Sequence, residues 1–270
     1  MDTHEEKVQF EFGFASDAGR KRRGEPNQDA VDVILPTTAH AWYPPLLIVA
    51  DGLGKHFGGS LASALVIEKF REEFIKAQHP SDYPMLMERC LQAAHQAIRR
   101  RGSEDPKLAS MGSTIVAATL NGKRLYMLNV GDSRAYILRG KSMRQISQDH
   151  SWVAAQVRAG VLTEQEARVH PNRNRLIMAI TAKRSEVKSF IADEKLEPED
   201  IILLCSDGLW GVVPETLILA AATELLPQAA ADKLVALANS SRGLDNISVI
   251  IARRVNTARK SGASLDDTDS

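Results

Sequence analysis

Four aspartates stand where apolar runs begin or end. Leu46-Leu-Ile-Val-Ala-Asp51-Gly52-Leu53-Gly54 reads as a buried strand that stops at a carboxylate followed by glycines. The pattern returns in Asp200-Ile-Ile-Leu-Leu-Cys-Ser-Asp207-Gly208, while Asp245 opens the apolar run 246–252 and Asp132 occupies the turn Gly131-Asp132-Ser133. In an antiparallel sheet the end of one strand lies beside the start of its neighbour, so all four acids can share one rim. Carboxylates held that close repel and raise one another's pKa, and a divalent cation relieves the conflict. With no Cys or His partner, an all-oxygen set selects hard ions, magnesium or manganese rather than zinc or copper. Gly52 adds a backbone carbonyl that no side chain screens. Taken singly, each Asp-Gly suits an ordinary turn. It is the recurrence at four strand junctions that argues for one metal-holding cluster.

The elements that must position these acids follow from period. Residues 8–14 alternate as a strand, 16–27 form a Gly- and Arg-rich loop, and 29–35 are extended up to Pro36. Leu61, Ala64, Leu65, Ile67, Phe70 and Phe74 recur at helical spacing over 60–76. A second helix spans 84–101, closed by Arg99, Arg100, Arg101 and Gly102. A meander follows: strands 113–120, 125–130 and 135–138, with Asn121-Gly122 and Arg139-Gly140-Lys141 as turns and a short strand at 143–147. Helices are expected at 151–159, after the capping box Thr163–Glu166, at 214–226 with Pro214 as first residue, and at 228–238. Strands are expected at 190–196, 201–205 and 246–252. The polar, basic stretch 160–190 has no clean period and reads as a mobile insertion over one rim, or as an ordinary surface loop. Strand blocks alternate with helix pairs, which favours antiparallel sheets flanked by helices over a doubly wound parallel sheet.

The totals set bounds. A chain of 270 residues, 44% hydrophobic and 25% charged, buries a full core. Basic and acidic residues balance at 34 each, which gives no case for nucleic acid or a membrane as partner. Cys90 and Cys205 stand in apolar surroundings at no metal-like spacing and read as reduced core thiols of a cytoplasmic protein. No membrane span and no signal peptide is expected. The expected organisation is a loose tail at 1–8, one domain over 9–255 and a disordered tail at 256–270.

Several motifs stand in a fixed order: Ser16-Asp17-Ala18-Gly19 with Arg22 and Asn27-Gln28-Asp29; Asp51-Gly52-Leu53-Gly54-Lys55-His56 with Gly59; Gly112-Ser113-Thr114; Asn129-Val130-Gly131-Asp132-Ser133-Arg134; Asp149-His150-Ser151; Cys205-Ser206-Asp207-Gly208-Leu209-Trp210; and Asp245-Asn246-Ile247-Ser248-Val249. In this order they resemble the bacterial-type branch of the protein phosphatase 2C family, metal-dependent hydrolases of phosphoserine and phosphothreonine in proteins. The resemblance implies an α+β fold, a four-layer α-β-β-α sandwich of two antiparallel sheets flanked by helix pairs. It implies two magnesium or manganese ions, with Asp51 bridging both, the Gly52 carbonyl on the second, and Asp207 and Asp245 on the first. Asp132 matches the acid of a weaker third ion, and Asp29 would act through water in an outer position beside Gln28. The reaction implied is attack on phosphorus by a metal-bridged hydroxide without a phosphoenzyme. Phosphorylated proteins would be the partners of a monomeric, cytoplasmic enzyme, with neither nucleic acid nor membrane involved.

The chain departs from the family pattern near the phosphate. An arginine should clamp it, since a planar fork binds two phosphate oxygens. Against the family spacing two residues are inserted around Gly24-Glu25-Pro26, which leaves Arg22 and Arg23 as the alternatives, Arg22 ranked first. Gln28 replaces a commoner Glu, Lys55 replaces a Gly, and Leu53 stands where some relatives carry His. His56 and Lys55 are candidates for proton transfer or support, with structural hydrogen bonding as the alternative for His56. A second reading of the departures is a scaffold that binds partners and catalyses poorly; metal titration separates the two.

Overall fold

The computed structural model describes residues 9–38, 42–54, 57–241 and 243–255. The strands in chain order are β1 (Gln9–Asp17), β2 (Asp29–Ile34), β3 (Leu46–Leu53), β4 (Gly112–Ser113), β5 (Ile115–Asn121) and β6 (Arg124–Val130). They continue as β7 (Arg134–Arg139), β8 (Ser142–Gln145), β9 (Ile180–Thr181), β10 (Phe190–Lys195), β11 (Ile201–Cys205) and β12 (Ile247–Val255). The helices are α1 (Gly58–Lys76), α2 (Tyr83–Glu104), α3 (Trp152–Arg158), α4 (Glu164–Val169), α5 (Asp207–Trp210), α6 (Glu215–Glu224) and α7 (Pro227–Ser241).

The central strands β3, β5, β11 and β12 are dominated by buried apolar residues because both of their faces are covered. Along β3, Leu46, Ile48 and Ala50 pack with α1 and α2 residues such as Phe70, Phe74 and Leu91. Leu47 and Val49 point the other way, onto Ile202, Leu204 and Ile250 of the opposite sheet. β11 repeats the division: Ile201, Leu203 and Cys205 face Ile218, Ala231 and Leu234 of α6 and α7. The result is four layers, helix pair, sheet, sheet, helix pair, with three apolar seams between them. One sheet runs β1-β12-β11-β7-β8. The other runs β10-β6-β5-β3, with β2 also paired to β3 and with β4 and β9 continuing beyond β3. Every pairing is antiparallel.

The structure corrects several boundaries. β3 does not stop at Asp51: Gly52 and Leu53 still pair, with Ser113 and Gly112 of β4. The expected strand 113–120 is broken at Thr114, whose N–H donates to the Asp51 carbonyl at 2.8 Å. Gly102 does not end α2. The helix continues to Glu104, and Gly102 is a packing residue, since a Cβ there would lie 2.3 Å from the Ala182 Cβ. Pro214 is the N-cap of α6, with extended ψ, rather than its first helical residue. Asp207-Gly208 opens the short helix α5 instead of a turn. The loop 16–27 contains the end of β1 and a 3-10 turn, Arg20–Arg22.

Residues 160–190 hold the capping-box helix α4 and the two-residue strand β9. The segment is fastened to the sandwich at several points. Ile177 N–H donates to the His150 carbonyl at 2.8 Å, Trp152 N–H donates to the Arg175 carbonyl at 2.7 Å, and β9 pairs with β4. The buried His95 ring, at 3.1 Å from the Arg184 carbonyl, pins its far end to α2. No helix among the described residues is long and apolar enough to cross a membrane. The terminal stretches 1–8 and 256–270 lie outside the described residues.

Candidate metal centre

The register between β2 and β3 sets Asp29 directly opposite Asp51. Asp51 is held by its own backbone: its N–H donates to Thr114 Oγ1 at 3.0 Å, and its carbonyl accepts from Thr114 N–H and from Ser113 Oγ. Thr114 Oγ1 also meets Ser133 Oγ at 2.8 Å, which ties this corner to the turn that carries Asp132. Asp207 follows β11 at the start of α5, and Asp245 immediately precedes Asn246 and β12. The four acids expected from the sequence, with Asp29, therefore lie at one end of the sandwich.

The Asp132 turn is braced from behind. Trp210 Nε1–H donates to the Asp132 carbonyl at 3.0 Å, and the Arg134 guanidinium lies over the Trp210 ring at 3.5 Å. Arg134 makes a bidentate pair with the buried Asp149, with contacts of 2.7 to 3.0 Å. Gly131 has φ of 105, and a Cβ there would strike Thr114 at 2.5 Å, so the turn needs glycine on both counts.

On the other side Arg22 gathers the polar groups. It forms an ion pair with Asp245, contacts Glu25 Oε2 at 3.2 Å, and reaches Gln28 Oε1 at 3.3 Å and Asn246 Oδ1 at 3.4 Å. Asn246 is a hub: its Oδ1 accepts the Gln28 N–H at 3.0 Å, and its Nδ2 donates to the Ala18 carbonyl at 2.9 Å. Arg23 is exposed and, among the described residues, forms no ion pair. Of the two sequence candidates, Arg22 is the one in the cluster. Lys55 and His56 lie outside the described residues.

Electrostatics separate these acids from turn aspartates. Burial, then the charges of Asp29, Asp207, Asp132 and Asp245, push Asp51 well above the usual carboxylate range. Burial, then Asp132, Asp245 and Asp29, do the same to Asp207. Asp132 is raised to about 7 by burial and by Asp149. Asp29 is raised to about 6, with burial opposed by hydrogen bonds from Ser206 and Ser248.

The residues fit a hard cation. Asp29 Oδ1 and Asp207 Oδ1 are buried and, among the described residues, have no hydrogen-bond partner, so each has acceptor capacity unused there. The acids and the Gly52 carbonyl form an all-oxygen donor set. Gly52 packs backbone to backbone on the start of α1: a Cβ on it would lie 2.0 Å from the Gly59 carbonyl oxygen. A Cβ on Gly59 would in turn lie 2.9 Å from the Gly52 carbonyl oxygen, so both glycines keep that oxygen clear. Among the described residues no three His, Cys, Asp or Glu side chains close to metal-ligand geometry; Asp245 is turned onto Arg22.

Ser206, Ser248, Asn246, Arg134, Asp149 and Trp210 belong to the sequence motifs, and their supporting roles emerge only from these contacts. Their signal was the polar residue buried beside each acid: Ser206, Ser248, Asn246 and Asp149 are all buried.

Known proteins resemble the chain in fold and in sequence. A profile of the family described as Protein phosphatase 2C matches residues 18–240. The chain is 33% identical over 227 residues to the serine/threonine phosphatase stp of Listeria monocytogenes, covering 82% of this chain and 88% of that protein. It is 35% identical over 210 residues to the serine/threonine protein phosphatase PstP of Mycobacterium tuberculosis, covering 77% of this chain and 40% of that longer protein. A crystal structure of PstP superposes with a TM-score of 0.82 at 31% identity, over 92% of this chain and 100% of that one. A second, of the PstP catalytic domain in complex with 2 manganese ions, gives 0.81 at 30% identity, over 93% and 100%. The fold is that of the serine/threonine phosphatases of this family. The chain belongs to the protein phosphatase 2C family, and by that membership it is a hydrolase.

Proposed function

We propose that the chain releases phosphate from phosphoserine and phosphothreonine in proteins with the help of two divalent cations, magnesium or manganese. The observation that carries the proposal is the convergence of Asp51, Asp207, Asp132, Asp245 and Asp29 on one rim, with Asp207 Oδ1 buried and, among the described residues, unpartnered. Asp51 would hold both ions, the Gly52 carbonyl the second, and Asp207 and Asp245 the first, with Asp132 for a weaker third. When bound, such ions make an ionised water available at neutral pH and stabilise both ends of an in-line displacement at phosphorus.

The chain's own groups do the rest. Arg22 presents a fork at the rim and suits two non-bridging phosphate oxygens. Asp29, held by Ser206, fixes the position of its neighbour across the strand pair, Asp51. Thr114 and Ser133 orient the backbone that carries Asp51 and Asp132. Water adds to phosphorus, the ester oxygen leaves with a proton, and the products are the free hydroxyl side chain and inorganic phosphate. Residues 9–255 would form the catalytic domain. Two free, buried cysteines suit a reducing compartment, which supports a cytoplasmic enzyme.

The test is incubation with a phosphothreonine peptide and manganese. Phosphate release that disappears in Asp51→Asn and Asp245→Asn is the expected result. No release, with both variants indistinguishable from the parent, would sink the reading. Calorimetric titration with manganese separates the scaffold alternative, which binds no metal.

A further inference from the structure

The chain as a whole is neutral, but its cations are not spread evenly. From Arg158 to Lys188 seven Lys or Arg stand against three Glu, in a chain of formal net charge 0. This excess sits on the segment fastened beside the acid rim. Ile180 pairs with Ser113, which pairs with Gly52, so β9 lies two strands, about 10 Å, from Gly52. The other end is as near: His150 N–H donates to the Gly131 carbonyl, next to Asp132, and the His150 carbonyl accepts from Ile177. Arg173 and Arg175 lie in consecutive turns just before Ile177, closed by Arg173 N–H to the His170 carbonyl and Arg175 N–H to the Asn172 carbonyl.

Arg173 and Arg175 are both exposed, and among the described residues neither side chain has an ion pair or hydrogen bond. That sets them apart from Arg158, bound to the Asp149 carbonyl, and Arg184, bound to the Ile177 carbonyl, which serve the fold. Across the rim, Arg20 and Lys21 are exposed, their side chains unpaired among the described residues, and their backbone N–H groups are fixed to Asn239 and to the Gly243 carbonyl, two residues from Asp245. Unpaired cations thus flank the candidate centre on two sides, held at fixed backbone positions.

Resting on the phosphatase reading, we infer that the chain prefers phosphorylated segments flanked by acidic residues, with Arg173 and Arg175 on one side and Arg20 and Lys21 on the other pairing with those acids. The partner is an acidic phosphopeptide segment of a protein. Exposed pairs of this kind steer and discriminate more than they bind, so the effect belongs in KM and fades with salt.

The experiment compares phosphothreonine peptides that have acidic, neutral or basic residues on both sides, with p-nitrophenyl phosphate as a substrate without flanks. The acidic peptide should exceed the neutral one in kcat/KM by about five- to tenfold at low salt, through KM, and the gap should close at high salt. The double variant Arg173→Ala, Arg175→Ala should lose most of that gap and keep its rate on p-nitrophenyl phosphate, while Arg173→Lys, Arg175→Lys keeps the preference. Equal kcat/KM for acidic and neutral peptides, or a gap that survives in the alanine variant, overturns the inference. A chain that hydrolyses nothing would defeat the phosphatase reading instead. The inference is then decided by fluorescence anisotropy with hydrolysis-resistant phosphonate peptides, where equal binding of acidic and neutral forms overturns it.

Discussion

The Ser206 hydroxyl donates to Asp29 Oδ2 at 2.7 Å and so joins the two sheets at their acid-bearing end, since Ser206 follows β11 and Asp29 opens β2. The same oxygen accepts from Ser248 N–H at 3.0 Å, and Ser248 Oγ meets Ser16 Oγ at 2.8 Å, so a line of hydroxyls crosses from β1 to β2. Ser206 and Ser248 are the hydroxyls that hold this buried carboxylate, whose Oδ1 has no hydrogen-bond partner among the described residues.

Ser206→Ala should therefore cost more than an ordinary hydrogen bond. It removes the 2.7 Å contact from a buried carboxylate whose other oxygen is already unpartnered among the described residues, and the expected loss is about 1–3 kcal/mol in urea unfolding. Because Asp29 faces Asp51 across the strand pair, manganese affinity should also fall, roughly tenfold or more, as for other groups that orient ligands from behind. Unchanged stability together with unchanged affinity would show that the hydroxyl line is incidental.

The raised carboxylates set the pH dependence of stability in the absence of divalent ions. Asp29 lies at about 6 and Asp132 at about 7 in the fold, above the ordinary value of 3.8. Between roughly pH 4 and pH 7 the folded chain then binds more protons than the unfolded chain, so stability falls as pH rises. Asp29 alone accounts for on the order of 3 kcal/mol across that interval. In EDTA the melting temperature should be higher at pH 5 than at pH 8, and manganese should flatten or reverse the slope. A melting temperature in EDTA that rises from pH 5 to pH 8 would contradict this.

What could be read in advance was set by periodicity and by rarity. The doubly buried strands β3, β11 and β12 announced themselves as unbroken apolar runs, and acids at their junctions are unusual enough to stand out. The flanking helices followed from their 3.6-residue period. What could not be read depends on partners distant in sequence. Gly102 looks like a helix stop until Ala182 is seen against it. Asp51 looks like a strand end until Ser113 and Thr114, more than 60 residues on, continue its pairing. Likewise the difference between Arg22 and Arg23 is invisible in spacing and shows only in the contacts of Arg22 with Asp245 and Asn246, over 220 residues away.

That difference is testable. Arg22 meets Asp245, Gln28 and Asn246, whereas Arg23 is exposed. Arg22→Ala should raise KM for a phosphothreonine peptide and weaken competitive inhibition by inorganic phosphate about tenfold or more. A charge-assisted contact to phosphate is worth roughly 1.5–3 kcal/mol. Arg22→Lys should recover only part, since an ammonium lacks the fork. Arg23→Ala should stay within about twofold of the parent. The reverse order of effects would assign the clamp to Arg23.

Gly52 offers the most local test of the rim. A Cβ there would meet the Gly59 carbonyl oxygen at 2.0 Å and the Gln28 carbonyl oxygen at 2.6 Å, and both obstacles are backbone. The Gln28 carbonyl cannot retreat freely, since it accepts the Gly52 N–H at 3.0 Å and Ser63 Oγ at 2.6 Å. Gly52→Ala must then part β3 from the start of α1 and displace the Gly52 carbonyl from the rim. The expected destabilisation is about 1–3 kcal/mol, as for overpacking elsewhere. Manganese stoichiometry by calorimetry should drop from two to one if, as proposed above, the carbonyl would serve the second ion while Asp207 and Asp245 would serve the first. Gly122→Ala is the control: a Cβ there meets nothing within 4 Å, and although its φ of 58 makes alanine strained, both ions should still bind. Loss of both ions in Gly52→Ala, with the fold intact by circular dichroism, would mean that the two sites are not separable and that the division of ligands proposed for them is wrong.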